Sequence, residues 1–295
     1  MKKIDIHLHL TEQESSVNGN MISSAEQMLP HLDHLQIGKG ILMSGGESGE
    51  GFGSNETCRR IHERYPERYF WMCNLDEKEP DTIRKRMSTY KEQGAVGVGE
   101  LMINHKLNHP FLTQMFTAAQ ELNLPVLIHM SPEEGFQYGV VDEPGLPLLE
   151  EVLQKYQGLK LIGHSQPFWH EISAGAGADK ETRYTWGEGP VIPGGRLVDL
   201  FDRYPNLYGD LSANSGGCAM MRDEDFGLWF MEKFKYRLMF GTDMVNITMK
   251  FPLGDWMDEM FEQGRLSKET YESISFKNAE RLFGLNKEEK QEEKR

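Results

Sequence analysis

Cysteine is scarce in this 295-residue sequence. The three cysteines are Cys58, Cys73 and Cys218, and no two of them form a CxxC pair. This spacing is not that of a zinc knuckle, and so few cysteines do not make a disulfide framework. A reducing compartment fits this composition, and we expect a cytoplasmic protein.

Long apolar runs are missing, and so is an excess of basic residues. No 18 apolar residues follow one another, and no apolar segment follows the two lysines at the start, so we expect neither a membrane span nor a signal peptide. Lys and Arg total 32 against 46 for Asp and Glu, a formal net charge of −14. Because such a surface repels phosphates, we expect a small-molecule partner rather than nucleic acid or a membrane. A homo-oligomer is compatible with the sequence.

The sequence does contain a regular alternation of short apolar runs with amphipathic segments of helical length. This pattern is typical of repeated βα units that form a parallel sheet. Eight runs predict strands, at 3–10, 38–43, 69–74, 95–101, 125–129, 160–164, 207–211 and 237–241. Helices are predicted near 25–35, 55–65, 82–93, 111–122, 146–156, 196–204, 225–235, 256–263 and 268–283.

Eight such units close most naturally into a barrel, although an open doubly wound sheet would give a similar local pattern. The length suits a barrel built as one unit. We therefore predict an α/β fold, a (β/α)8 TIM barrel, as a single domain over residues 1–286, with a long loop after the sixth strand. Residues 287–295 (KEEKQEEKR) are all charged or polar and predict a solvated tail.

The first strand carries two histidines, His7 and His9. Residues i and i+2 of a strand point to the same face, so the two imidazoles should converge on one point. The apolar residues of this stretch would take the opposite face and pack against helices; they are Ile4, Ile6, Leu8 and Leu10. A His-X-His pair alone is weak evidence for a metal site, and further ligands must come from elsewhere in the chain.

Four other apolar runs end in a side chain that can bind a metal ion. These side chains are Glu100, His129, His164 and Asp243. The carboxyl ends of all barrel strands meet on one face, so these groups and the two histidines would surround one point. Imidazole nitrogens and carboxylate oxygens suit zinc and similar divalent ions, which activate water and polarise carbonyls. Asp243 could then accept a proton and His164 could stabilise an oxyanion, which makes these two the candidate catalytic residues.

In their order along the chain, His7, His9, His129, His164 and Asp243 resemble the metal centre of the metal-dependent amidohydrolase superfamily. The chain is most similar to the amidohydrolase-related branch that includes aminocarboxymuconate semialdehyde decarboxylase, aromatic-acid decarboxylases and lactone hydrolases. Further stretches carry this resemblance, namely 65–70 (YPERYF), 204–212 (YPNLYGDLS), 240–243 (FGTD) and 278–284 (NAERLFG).

The resemblance implies a divalent metal, expected to be zinc, but it leaves the number of ions open. In decarboxylase-like members, one zinc would be held by the residues matching His7, His9, His129 and Asp243, with His164 free as a general acid or base. The run 97–100 (GVGE) instead resembles TatD-type deoxyribonucleases, in which a glutamate bridges two metals. Glu100 would then join His7, His9 and Asp243 around one ion, and His129 and His164 around the other. An unpaired carboxylate beside Asp243 would be repelled, which favours two metals.

The long segment after the sixth strand is rich in aromatics and could cover the barrel mouth as a substrate lid, or its aromatics could simply anchor it. Candidate substrate contacts are Trp169 and Arg183 in this segment and Arg222 after the seventh strand. We predict a metal-dependent hydrolase that cleaves a small ester, lactone or amide with a metal-activated water. The alternatives are a nonoxidative decarboxylase that uses the same centre and a barrel that binds metal or ligand without turnover.

Overall fold

A computed structural model describes residues 2–17, 19–49 and 52–285. The predicted charged tail, 287–295, lies outside these described residues. Eight parallel strands occur where the sequence predicts them. They are β1 (Lys3–Leu8), β2 (Ile37–Met43), β3 (Tyr69–Met72), β4 (Val98–Leu101), β5 (Val126–Ser131), β6 (Leu161–His164), β7 (Leu207–Asp210) and β8 (Leu238–Met239).

Helices connect these strands. They are α1 (Ala25–His34), α2 (Asn55–Arg64), α3 (Ile83–Glu92), α4 (Pro110–Glu121), α5 (Pro147–Lys155), α6 (Gln166–His170), α7 (Lys180–Arg183), α8 (Arg196–Arg203), α9 (Ala213–Met221), α10 (Glu224–Lys233), α11 (Leu253–Glu262), α12 (Lys268–Glu272) and α13 (Asn278–Phe283). A 3-10 turn, Pro80–Thr82, precedes α3, and a π-helical turn, Ser273–Lys277, lies between α12 and α13. Within the described ranges, none of the helices has both the length and the hydropathy that a membrane span requires.

Three short strands were not predicted. Ser15–Val17 and Asn20–Ile22 form an antiparallel hairpin after β1, and Val140–Val141 pairs with the end of β5. Two or three residues are too few to show a hydrophobic alternation, which explains why pattern reasoning missed them.

The regular strand ladders form two sheets, ordered β1-β2-β3 and β4-β5-β6-β7-β8. Main-chain hydrogen bonds join these sheets at both seams. Between β3 and β4, the Cys73 N–H donates to Gly97 and the Gly99 N–H donates to Cys73. Between β8 and β1, the Ile6 N–H donates to the Phe240 carbonyl over 3.1 Å. The eight strands therefore surround one axis, as in the predicted TIM barrel.

The prediction that all four apolar residues of the first stretch face outward is wrong for two of them. Ile4 and Ile6 pack against buried side chains from five other strands, such as Leu127 and Ile162, and such residues can meet only inside the barrel. Leu8 belongs to the separate, larger cluster that includes residues of the surrounding helices. The physical reason is an irregular register between β1 and β2 around residues 5–8, because a bulge shifts the alternation of side chains by one residue.

Helix α9 was not predicted because residues 213–217 (ANSGG) have low helix propensity. A Cβ at Gly216 would lie 2.5 Å from the Cα of Leu211, so glycine allows this helix to approach the end of β7 closely. The same approach places Ser212, the residue before α9, at the mouth of the barrel. Tertiary packing thus compensates for weak local propensity.

Candidate metal centre

All six predicted ligands gather at the carboxyl ends of the barrel strands. They come from β1 (His7 and, just after it, His9), β4 (Glu100), β5 (His129), β6 (His164) and the segment after β8 (Asp243). In the register of β5 and β6, His129 lies directly opposite His164, so both imidazoles emerge at the same height. The Asp243 N–H donates to the His7 carbonyl over 2.8 Å, which ties the eighth strand end to the first.

Four of these side chains point one atom each at a common position. The Nε2 atoms of His7 and His9 are 3.1 Å apart. Asp243 Oδ1 lies 3.4 Å from His7 Nε2 and 3.3 Å from His9 Nε2. Glu100 Oε2 lies 3.5 Å and 3.4 Å from the same two nitrogens. Tetrahedral coordination at about 2.0–2.1 Å separates neighbouring ligand atoms by about 3.3–3.4 Å. The atoms of His7, His9 and Asp243 therefore fit one divalent ion, and Glu100 Oε2 lies at a similar distance from both histidine nitrogens.

The second oxygen of Glu100 faces the other two histidines. Oε1 lies 2.8 Å from His129 Nδ1 and 3.8 Å from His164 Nε2. The latter nitrogen is also 3.8 Å from Asp243 Oδ2. Glu100 therefore stands between two groups of ligand atoms, one oxygen toward each. This is the arrangement that a bridging carboxylate requires.

The carboxylates and imidazoles control one another's protonation. Burial favours a neutral imidazole, but the charges of Asp243 and Glu100 raise the pKa of His7 well above its usual value. Burial would likewise raise the pKa of Glu100, yet the charges of His7 and His129 hold that pKa well below the usual range. The pKa of Asp243 is also lowered, since His7 and His9 outweigh its burial. The carboxylates are therefore ionised and ready to bind a cation.

Asp210, at the end of β7, is a site residue that sequence reasoning missed. Its Oδ2 lies 2.7 Å from His7 Nδ1 and 3.2 Å from His164 Nδ1. The Ser212 hydroxyl donates to the same oxygen over 2.7 Å and lies 3.0 Å from His164 Nδ1. Burial would raise the pKa of Asp210, but the hydrogen bonds with His164 and His7 hold it below its usual range. Asp210 thus orients both imidazoles so that their Nε2 atoms face the centre.

The signal for Asp210 was present in the sequence. The apolar run of β7 ends in this carboxylate, just as the runs of β4, β5 and β6 end in Glu100, His129 and His164. The same reasoning, that polar residues at the carboxyl ends of barrel strands face the active site, would have predicted Asp210 if it had been applied to the seventh strand.

Comparison with known proteins identifies the family. The model of the amidohydrolase family matches residues 4–285, which is nearly the whole chain. The chain belongs to the amidohydrolase family. No curated protein sequence matches it significantly.

Solved structures that resemble this amidohydrolase share its fold at low sequence identity. An uncharacterised TIM-barrel protein from Bordetella bronchiseptica has a TM-score of 0.63 at 16% identity, with 97% of this chain and 99% of that chain covered. A probable 2-pyrone-4,6-dicarboxylic acid hydrolase from Acinetobacter baumannii, with citric acid bound, has a TM-score of 0.58 at 16% identity, covering 96% and 100%. A dihydroxybenzoic acid decarboxylase from Polaromonas sp., with bound manganese and the inhibitor 2-nitroresorcinol, has a TM-score of 0.56 at 18% identity, covering 97% and 98%.

Among the six candidate ligands, Asp243 has the side chain that is most open to solvent. Its side chain is 27% exposed, whereas that of His7 is fully buried and that of His129 is 9% exposed. Its backbone has φ of 59°, a left-handed conformation that Asp tolerates better than most residues. Asp243 therefore reaches both the centre and the approach to it, as a proton acceptor must.

Aromatic side chains line the approach to the centre. The ring of Phe52 lies 5.2 Å from that of His9, and the ring of Tyr138 lies 4.7 Å from that of His129. Partial burial and the nearby carboxylates raise the pKa of Tyr138 above its usual value. A Cβ at Gly139 would lie 2.9 Å from the His129 ring, so glycine lets this loop lie directly over the histidine.

The predicted substrate contacts lie elsewhere. Trp169 is buried, and its Nε1 donates to the Asp210 carbonyl, so it supports the seventh strand end. The buried guanidinium of Arg183 donates to the carbonyls of Pro132 and Asp142 and joins two loops. Arg222 lines a chamber that none of the six predicted ligands lines.

The long segment after β6 is only partly a candidate lid. Phe168 and Trp169 belong to the core and anchor the segment. The ring of Tyr184 meets that of Phe136, in the loop after β5, at a distance of 4.6 Å. Trp186, by contrast, is half exposed. At least two aromatic residues of this segment, Phe168 and Trp169, therefore anchor it to the core.

Proposed function

We propose that this amidohydrolase is a metal-dependent hydrolase that cleaves an ester, lactone or amide bond of a small molecule. The observation that carries the proposal is the spacing of candidate ligand atoms around His7 and His9. The two Nε2 atoms lie 3.1 Å apart, and each lies 3.3–3.5 Å from one oxygen of Glu100 and one oxygen of Asp243. Such spacing fits the ligand atoms of a divalent ion, because imidazole nitrogens and carboxylate oxygens face one another at the distances that tetrahedral coordination requires.

Zinc is the expected ion, since two imidazoles and two carboxylates suit it, and manganese is the alternative that oxygen ligands favour. When bound, a divalent ion would lower the pKa of a water molecule and polarise the carbonyl that is attacked. His129, His164 and the second oxygen of Glu100 would hold a second ion. The two Glu100 oxygens face different pairs of histidines, which supports two ions over one.

Three protein side chains would contribute to the reaction, namely Asp243, His164 and Asp210. Asp243, ionised and partly exposed, would accept the proton of the attacking water and pass it to the leaving group. If the site holds one ion, His164, with its Nδ1 held by Asp210 and Ser212, would direct Nε2 toward the developing oxyanion; if it holds two, this nitrogen would bind the second ion instead. Because Asp210 is fully buried, it would act on the reaction only through His7 and His164, which it contacts.

Nonoxidative decarboxylation is the second candidate. His164 supports it, because an imidazole held at Nδ1 by a carboxylate can protonate a carbanion through Nε2. The fold shared with a dihydroxybenzoic acid decarboxylase also supports it, while the fold shared with a probable pyrone hydrolase supports hydrolysis.

A product assay separates the two reactions. The purified protein, replenished with zinc or manganese, would be incubated with panels of lactones and aryl esters and of hydroxybenzoic and enoic acids. We expect acid release from a lactone or ester and no trapped carbon dioxide. Carbon dioxide from an acid substrate, without lactone opening, would replace the hydrolase proposal by the decarboxylase. Neither product across both panels would favour a binding protein.

Metal analysis tests the centre itself. We expect about two ions per chain in the wild type, about one in Glu100→Gln, and loss of the ion between His7 and His9 in the His7→Ala/His9→Ala double variant. His34→Ala, which changes an exposed histidine of α1, serves as the control and should keep the wild-type content. One ion with full activity in the wild type would remove the bridging role of Glu100. A double variant that keeps the full wild-type metal content would refute the proposed site.

A further inference from the structure

A chamber of about 480 Å³ lies within the long segment after β6, between that segment and Arg222 at the end of α9. Its walls include Trp186, Ile192 and Thr182, and none of the six predicted ligands lines it. Its volume falls in the range of small-molecule sites. Helix α9 starts next to Ser212 at the metal centre and ends at Arg222, so the chamber and the centre lie at opposite ends of a helix roughly 13 Å long.

The guanidinium of Arg222 is the permanently cationic group in the lining of this chamber, which also includes the acidic Glu188. Its Nη1 donates to the Glu188 carbonyl over 3.2 Å. Its Nε is buried and has no hydrogen-bond partner. The carboxylate of the neighbouring Asp223 accepts the N–H groups of Val191 and Phe226, and no ion pair joins it to Arg222 in the part of the chain that the structure describes. Among the described residues no hydrogen bond engages its Nη2, whose N–H groups can donate to a carboxylate oxygen.

A glycine makes room for this guanidinium. A Cβ at Gly187 would lie 2.3 Å from Nη1 of Arg222, so any other residue would displace the side chain. The guanidinium therefore rests against the backbone of the residue that follows Trp186. Backbone and side chain together hold Arg222 in the wall of the chamber.

Apolar surface completes the chamber. The indole of Trp186 is 51% exposed and the side chain of Ile192 is 55% exposed, although both are among the residues that proteins usually bury. An exposed indole beside a cationic group offers a flat face to an aromatic ring while the cation binds an attached anion. Single exposed apolar residues are common on protein surfaces. Trp186 and Ile192, however, line the same chamber as Arg222.

We propose that this chamber is a second binding site, for a small aromatic carboxylate, with the carboxylate on Arg222 and the ring against Trp186. The site is separate from the metal centre, and ligand binding there does not require metal. Its ligand is recognised by charge, planarity and size.

Benzoate is the probe, and benzamide is its neutral control of the same shape. Binding to the full-length, metal-replenished protein would be measured by calorimetry and by quenching of tryptophan fluorescence. We expect saturable benzoate binding and at least tenfold weaker binding of benzamide. Arg222→Gln and Trp186→Ala should each weaken benzoate binding at least tenfold. The matched controls are Arg64→Gln and Trp229→Phe, which change an exposed arginine and an exposed tryptophan outside the chamber and should bind as the wild type does.

The same titration in the His7→Ala/His9→Ala variant separates this proposal from the proposed function. Unchanged benzoate binding there is expected, and it would hold even if no metal or turnover were found. The proposal is overturned if benzoate does not saturate, if benzamide binds equally well, if Arg222→Gln binds like the wild type, or if benzoate binding is lost in the double histidine variant. Because Trp186 is half exposed, Trp186→Ala should fold, so it keeps the test valid even if Arg222→Gln is unstable.

Discussion

Asp210 Oδ2 lies 2.7 Å from Nδ1 of His7, although 203 residues separate them in the chain. The carboxylate accepts the Nδ1 proton, so the lone pair of the neutral imidazole is on Nε2, which faces the centre. The same oxygen lies 3.2 Å from His164 Nδ1. One buried carboxylate thereby selects the tautomer of two histidines.

Asp210→Asn should weaken metal binding about 10- to 100-fold, because an amide no longer favours the Nδ1–H tautomer at His7 and His164. A competition titration with a chromogenic chelator measures the affinity. Asp202→Asn, which changes an exposed aspartate that pairs with Lys233, is the matched control and should have no effect. Equal affinities for the two variants would show that Asp210 does not orient the ligands.

Asp243→Asn should keep the fold but lower kcat by about 10²- to 10⁴-fold, because the proton acceptor is lost. Activity on the substrate found in the product assay and the unfolding temperature would be measured together. Asp255→Asn, at an exposed position on α11, is the control. Wild-type kcat in Asp243→Asn would overturn its assigned role.

Metal binding at pH 7 should release protons. In the metal-free protein, the pKa of His7 is raised well above 6.5 by Asp243 and Glu100 against the effect of burial. A raised folded pKa means that the imidazolium contributes stability fully below about pH 6.5, and that this contribution is lost as the pH rises through the raised pKa. A divalent ion requires the neutral imidazole and displaces the proton. Calorimetry in buffers of different ionisation enthalpy should show release of about one proton, and buffer-independent heats would contradict this.

Lys3→Met should lower the free energy of unfolding by about 2 kcal/mol. Lys3 is 1% exposed, and its Nζ lies 2.7 Å from Asp258 Oδ2 on α11, so the change leaves a carboxylate without its cation. The loss should stay below that of a fully buried pair because the Asp258 side chain is 32% exposed. Denaturant unfolding measures the effect, with Lys2→Met, at an exposed lysine, as the control. Equal losses in both variants would exclude a role for burial.

Much of the fold could be predicted because strand and helix periodicity is local. The eight strands occur where apolar runs predict them, and the six candidate ligands meet because parallel strands place their carboxyl ends on one face. Whether these six bind metal stays a prediction. The outward position of Ile4 and Ile6 was wrong because a register irregularity depends on the neighbouring strand.

Side-chain contacts made across the chain could not be predicted. Arg183 and Trp169 looked like substrate contacts in a long loop, but both are buried against main-chain carbonyls. Nothing in the local sequence distinguishes an arginine that binds a ligand from one that joins two loops. The difference depends on which carbonyls lie nearby after folding.

The order of strands and the identity of the residues that end them are properties of the sequence itself, and they determined that two histidines, two carboxylates and two further histidines would share one face of a barrel. Tertiary structure alone decided that Glu100 turns one oxygen toward each pair of histidines, that Asp210 supports His7 and His164, and that Arg222 lines a chamber away from the centre. The reason is physical. Periodicity arises from the backbone within a few residues, whereas the direction of a buried side chain depends on packing among residues that are hundreds of positions apart.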